Sequence, residues 1–220
     1  MPLPFTADQF FEVFRRYNEA VWPAQWLFNV LAIVALTMAV MHYRRNSRGV
    51  PAILAVFWMW MGAVYHLAFF AEVNPAAYVF GALFLAQALL FAWLAWRARL
   101  TFAPRSDAAG IAGWLLILYA LILYPAVGLL LGHAYPASPT FGLPCPTTLF
   151  TLGVLLWARP AVSWGVLVIP MLWTIVGSVA ALQLGVWEDL GLAVAAAAVA
   201  GRSLARHVHA RPLVSTHALR

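Results

Sequence analysis

The strongest constraint on this chain is its alternation of long apolar runs with short gaps that hold arginine. Runs at residues 21–42, 50–70, 75–96, 110–131, 141–158, 161–183 and 186–204 approach the roughly 20 apolar residues that a helix needs to cross about 30 Å of hydrocarbon. The chain is 65% hydrophobic and only 9% charged, whereas a soluble domain averages about 25% charged residues. It therefore lacks the side chains that would cover a water-facing surface. The fold class expected is all-α, a polytopic membrane protein of seven transmembrane helices with the lipid bilayer as its main partner.

Charge placement sets the expected orientation. Every basic residue is arginine, and with seven spans and the N-terminus outside, all of the 13 except Arg15 and Arg16 fall on the inner side. That is the bias seen in cytoplasmic loops. The formal net charge of +6 is thus explained by topology, and no nucleic-acid partner is expected, because that reading needs the charge gathered on one soluble face. The fifth run is the irregular one, since Pro144 and Pro146 interrupt its start. A re-entrant fifth segment would place Arg202, Arg206, Arg211 and Arg220 outside, so a full span is the expectation.

Residues 1–20 are expected to form an interfacial helix, 21–204 the transmembrane domain, and 205–220 a basic cytoplasmic tail. Thr6 and Gln9 match a capping box, and Phe5 with Phe10 matches the hydrophobic staple around it. Downstream, Phe10, Val13, Phe14 and Tyr17 share one helical face while Asp8, Glu12, Arg15 and Glu19 lie largely opposite. The acids in these first residues leave no uninterrupted apolar core for a cleavable signal peptide.

Several chemistries are set aside by residue content. Retinal held as a Schiff base needs a lysine, and there is none; a single cysteine, Cys145, excludes an internal disulfide. A bis-histidine haem needs a second histidine at the depth of His66, which the sequence does not supply, and no GxSxG or P-loop pattern occurs.

The candidates for chemistry cluster towards the expected outer side. His66 is an ionisable residue within a span, a position that is costly and usually faces the bundle interior. Its readings are a proton relay or metal ligand, or a neutral imidazole bonded to a neighbouring backbone carbonyl or hydroxyl. The segment GHAYPASPTFGLPCPTT (132–148) combines His133 and Cys145 with four prolines that stiffen it, as a lid or binding loop would be stiffened, or simply as a connection between helices. Glu19, Glu72, Glu188 and Asp189 add carboxylates, and Asn29 and Gln87 add polar groups within the spans.

Together these residues lead us to expect binding or transport of a small solute or metal ion through an outward-open polar site. The same groups leave open a membrane-embedded enzyme or metalloprotein, and also a noncatalytic partner subunit or sensor. Neither a cofactor nor an oligomeric state follows from the residues.

Four strings carry a resemblance: QFFEVFRRYNEAVWPAQ (9–25), MGAVYHLAFF (61–70), NPAAYVFGALF (74–84) and HAYPASPTFGLPCPTT (133–148). They resemble an uncharacterised family of bacterial multi-pass membrane proteins, the domain-of-unknown-function family 6064, over most of the chain. The resemblance implies a multi-pass protein of the bacterial inner membrane and supplies no catalytic residues.

Overall fold

The computed structural model describes residues 3–41 and 46–209, with side chains through Leu204. Arg44, Arg45, Arg211 and Arg220, on which part of the expected charge asymmetry rests, lie outside the described residues, as does the side chain of Arg206.

The chain is a helical bundle. It begins with α1 (Ala7–Ala20) and α2 (Ala24–Val40), followed by α3 (Asn46–Trp60), which runs on through a π-helical stretch (Met61–Phe69) and a 3-10 turn (Phe70–Glu72). Next come α4 (Ala77–Arg97) and strand β1 (Thr101–Phe102), then α5 (Ala108–Leu118), a π-helical turn (Tyr119–Leu123) and α6 (Tyr124–Leu130) as one rod. The last part holds α7 (Pro144–Leu155), β2 (Ala158–Arg159), α8 (Trp164–Leu184), a 3-10 turn (Trp187–Leu190) and α9 (Gly191–His209). The all-α expectation holds apart from the two short strands, which pair antiparallel as Thr101 with Arg159 and Phe102 with Ala158.

Four stretches, Asn46–Glu72, Ala77–Arg97, Ala108–Leu130 and Trp164–Leu184, are long and apolar enough to cross a membrane, and the α1–α2 pair, bent by 85°, would make a fifth. Their outward faces carry large apolar side chains such as Leu27, Val30, Leu115, Ile122, Ile175 and Leu182, all exposed. Apolar exposure on this scale suits a lipid solvent and would be a liability in water.

The expected start of the chain is present in detail. Thr6 Oγ1 accepts from the Gln9 N–H at 3.2 Å and Gln9 Oε1 accepts from the Thr6 N–H at 2.9 Å, while the Phe5 and Phe10 rings stack 5.7 Å apart. The apolar face of α1 is buried against protein rather than lipid: Phe10 and Phe14 meet Phe70 and Tyr65, and the Tyr17 hydroxyl accepts from Trp60 Nε1 at 2.7 Å. Amphipathicity identifies a buried stripe without saying which surface covers it.

α7 explains why the fifth run looked irregular. Its twelve helical residues rise only about 18 Å, too little to span alone, yet the extended segments on either side are buried with it. Among residues 141–158 all but the half-buried Cys145 are buried. A helix surrounded by other helices can be apolar on every face, and the Thr147 and Thr151 hydroxyls find partners close by. Thr151 Oγ1 donates to the Thr147 carbonyl at 2.7 Å and accepts from Trp58 Nε1 at 3.1 Å, and Thr147 Oγ1 accepts from the Gly142 N–H at 3.0 Å. Close packing depends on glycine: a Cβ on Gly153 would lie 2.9 Å from the Gly113 carbonyl oxygen of α5, the small-residue contact typical of membrane helix interfaces.

The bundle has two unlike ends. At one, β1 and β2 pair, Asn46 Nδ2 donates to the Phe102 carbonyl at 2.7 Å, and Arg202 reaches the Leu156 carbonyl. At the other, α1, the connection after α6 and the Trp187–Leu190 turn come together.

Candidate ligand-binding site

The site is built around the connection 131–143, which Asn18 of α1 fastens to the bundle. Asn18 is fully buried; its Nδ2 donates to the carbonyls of Pro136 (2.7 Å) and Ser138 (2.8 Å), and its Oδ1 accepts from the Thr140 hydroxyl at 2.7 Å. Gln25 at the start of α2 donates to the Asn18 carbonyl at 2.8 Å. With its backbone carbonyls held by side chains, this nonhelical segment can sit against apolar helices without the penalty of unpaired polar groups.

Between this connection, α2 and the α5–α6 rod lies a cavity of about 570 Å³. Its wall is mostly apolar, from Ala120, Leu121, Pro125, Leu129 and Phe141, and its polar groups include Gln25, Asn29, Thr140, His133 and Glu188. The π-helical turn Tyr119–Leu123 supplies part of the wall, and such turns interrupt helices mainly where a site needs the altered geometry.

Glu188 is the charged centre of this arrangement. Its side chain has no exposed surface, and one oxygen, Oε1, stands 2.8 Å from His133 Nδ1. Gly128 lets the carboxylate approach the rod, because a Cβ there would lie 3.1 Å from Oε1. The Tyr119 hydroxyl donates to the Glu188 backbone carbonyl at 2.7 Å and so fixes the turn that carries it.

Asp189 points elsewhere, as adjacent residues on a tight helical turn must. It borders a second cavity of about 300 Å³ beneath α1, lined also by Phe10, Phe14, Tyr65, Cys145 and Trp173. The Tyr124 hydroxyl donates to its carboxylate. The two neighbouring acids therefore border two different cavities.

Of the remaining sequence candidates, Glu19, Glu72, Gln87 and His66 line neither cavity. Glu19 pairs with Arg15 at 3.3 Å and Glu72 with Arg16 at 2.5 Å, both on the exposed side of α1. Exposed pairs of this kind contribute little stability. Gln87 is buried in α4 and donates to the Val166 carbonyl at 3.1 Å, tying α4 to α8. His66 is fully buried in a cage of Tyr65, Phe70, Phe80, Phe84 and Trp173, and neither ring nitrogen has a hydrogen-bond partner. Burial within the bundle was expected for it; the hydrogen-bond partner was not found. Asn29 lines the first cavity and donates to the Gln25 carbonyl at 2.8 Å.

Among the described residues no group of three or more His, Cys, Asp or Glu side chains comes together as a metal site would require. Asn18 was not singled out from sequence, because its role depends on where a connection more than a hundred residues away returns.

A model of the family of unknown function DUF6064 matches residues 7–212. The chain belongs to this family. No curated protein and no solved structure matches it. Family DUF6064 brings no assigned chemistry to the site, and the geometry of the cavity has to supply the functional reading.

Proposed function

We propose that the protein binds a small solute in the cavity between α2, the α5–α6 rod and the 131–143 connection, on the outer side of a bacterial inner membrane. The observation that carries this reading is the cavity itself: a concave, mainly apolar space with a few polar groups converging on it, which is the common form of a small-molecule site. The buried Glu188 carboxylate uses one oxygen on His133 and leaves the other without a donor, which supports the same reading.

The orientation rests on charge. Of the arginines with described side chains, Arg97, Arg105, Arg159 and Arg202 belong to elements at the β1–β2 end, whereas Arg15 and Arg16 at the other end are each paired with glutamate. By the positive-inside bias the β1–β2 end is cytoplasmic and the cavity faces out. In this arrangement α2, α3, α4, α5–α6, the α7 segment, α8 and α9 make seven crossings, with the N-terminus outside and the C-terminus inside.

Beneath the cavity the rings of Phe57, Phe141 and Phe150 are in mutual contact at 5.5–6.2 Å. That packing supports an outward-facing state closed towards the cytoplasm. Transport of the same solute would require this aromatic layer to part.

The test is a thermal-shift survey of small solutes on the purified protein and on Leu121→Trp, which fills the cavity from a half-buried wall position. Solutes that raise the midpoint of the native protein and not that of the variant support the reading. A survey in which no solute discriminates between the two overturns it.

A further inference from the structure

We infer that the cavity selects a protonated amine with an apolar body, its ammonium group held at Glu188 and Gln25. This deepens the proposed solute site and rests on it. The argument starts from hydrogen-bond accounting at the cavity wall. Glu188 has two carboxylate oxygens; His133 occupies Oε1, and Oε2 is buried with no donor. Gln25 uses its amide nitrogen on Asn18, and its Oε1 is likewise buried with no donor.

Buried acceptors without partners are uncommon, because each loses its water and gains nothing in return. Two of them belong to residues lining one cavity, and both lack the same thing, an N–H or O–H donor. A ligand that brings donors corrects both deficits, and a carboxylate favours a donor that also carries positive charge. The residues that line the cavity include neither arginine nor lysine, and His133 takes only one of the two carboxylate oxygens.

The aromatic residues of the wall fit the same ligand. Trp22, Trp26 and Tyr135 line the cavity, and the rings of Trp22 and Tyr135 meet edge to face at 6.4 Å. Electron-rich ring faces attract cations, most strongly at tryptophan. Leu121, Pro125, Leu129 and Phe141 leave the rest of the wall for hydrocarbon. An anion would meet a carboxylate and an amide oxygen here, and a neutral polar solute would find few partners over most of the surface.

The inference separates a primary amine from close relatives. A quaternary ammonium keeps the charge and the attraction to the rings but has no N–H for the unpartnered oxygens. An alcohol of the same skeleton keeps the apolar body and a single donor without charge. Phenethylamine, its N,N,N-trimethyl derivative and 2-phenylethanol form such a series.

Affinities of the three are measured by calorimetry on the full chain in detergent, with Leu121→Trp as the blank for partition into micelles. The expected order is primary amine, then quaternary ammonium, then alcohol, with at least about tenfold between the first and the last, as a charge-assisted hydrogen bond would give. Glu188→Gln preserves the shape of the side chain and is expected to lower amine affinity about tenfold or more while leaving 2-phenylethanol unchanged. Equal binding of amine and alcohol, or Glu188→Gln without effect on the amine, overturns the cation inference. If the alcohol still binds the native protein and not Leu121→Trp, the solute site itself stands; if none of the three distinguishes the native protein from Leu121→Trp, both readings fail.

Discussion

Replacing Asn18 should release the connection that roofs the cavity while leaving the rest of the bundle folded. Its side chain makes three hydrogen bonds to the connection, two donated to the Pro136 and Ser138 carbonyls and one accepted from Thr140. At about 1 kcal/mol net for each bond, Asn18→Ala weakens docking of the connection by about 3 kcal/mol. That corresponds to roughly a hundredfold rise in the population of the undocked connection. Asn18→Asp is a sharper probe, because it keeps the size and the acceptor but sets a carboxylate oxygen against the two carbonyls.

Hydrogen exchange read by mass spectrometry reports the change directly. The amides of His133, Gly142 and Leu143 are held by Gly128, Thr147 and Thr140 respectively, and their exchange should accelerate by up to about a hundredfold in both variants, the size expected for a local opening of that energy. Amides in α4, remote from the connection, provide the internal control. If exchange across 131–143 stays within a few-fold of the native protein, Asn18 is not the fastening, and the pre-organised wall inferred for the cavity loses its basis.

Gly153→Ala should lower the thermal midpoint, since its Cβ would press on the Gly113 carbonyl at 2.9 Å; overpacking of this sort costs about 1–3 kcal/mol. Gly165→Ala, whose Cβ meets only the Ser163 hydroxyl at 3.8 Å, should leave the midpoint in place, and equal midpoints for the two variants would contradict the packing assigned to α5 and α7. His66→Leu replaces a buried imidazole that has no partners with an apolar side chain, a change that can be neutral or stabilising. Its midpoint should hold or rise and its affinity for phenethylamine should not change; a drop in affinity would bring His66 into the site. At the β1–β2 end, Arg105 and then the Gly110 N–H hold the Asp107 carboxyl down to about 2. A depressed carboxyl stabilises the fold above its unfolded value, near 3.8, and loses that contribution as the pH falls towards 2. Because the pair is partly exposed, the amount is about 0.5 kcal/mol, and midpoints compared at pH 6 and pH 2.5 should fall further for the native protein than for Asp107→Asn, with equal falls refuting the assignment.

Four long helices and the start of α1 were legible in the sequence because they follow from local rules, whereas the runs at 141–158 and 186–204 are α-helical only over Pro144–Leu155 and from Gly191. Length and hydrophobicity delimit α3, α4, the α5–α6 rod and α8, and Thr6 with Gln9 marks the first turn of α1 through a bond between residues three apart. The site was legible only in part. His133, Glu188 and Asn29 were candidates and share a cavity, and Cys145 and Asp189 share another. Glu19 and Glu72 looked alike in sequence but are taken up by Arg15 and Arg16, and no spacing rule predicts a pair such as Arg16 with Glu72, on separate elements. His66 illustrates the same limit from the other side: its depth in the bundle follows from its position, whereas the aromatic cage depends on the crossing of α3, α4 and α8.

What unites the site is the failure of regular helix around it. In hydrocarbon, backbone N–H and C=O groups outside a helix are tolerated only where protein or an aqueous cavity meets them. Beside the α1–α2 turn that holds Trp22, the first cavity is bordered by the π-helical turn Tyr119–Leu123, the connection 131–143 and the 3-10 turn Trp187–Leu190. The last three are anchored by side chains that reach across the fold, with Asn18 on the connection, Tyr119 on the Glu188 carbonyl and His133 on the Glu188 carboxylate. Such anchors could as well be made by groups that leave nothing unsatisfied, yet Glu188 Oε2 and Gln25 Oε1 remain without donors. A wall that satisfies its backbone and leaves two side-chain acceptors open fits the donor-bearing ligand proposed above, which is why Glu188→Gln, rather than any change at His66, is the substitution that tests the proposal.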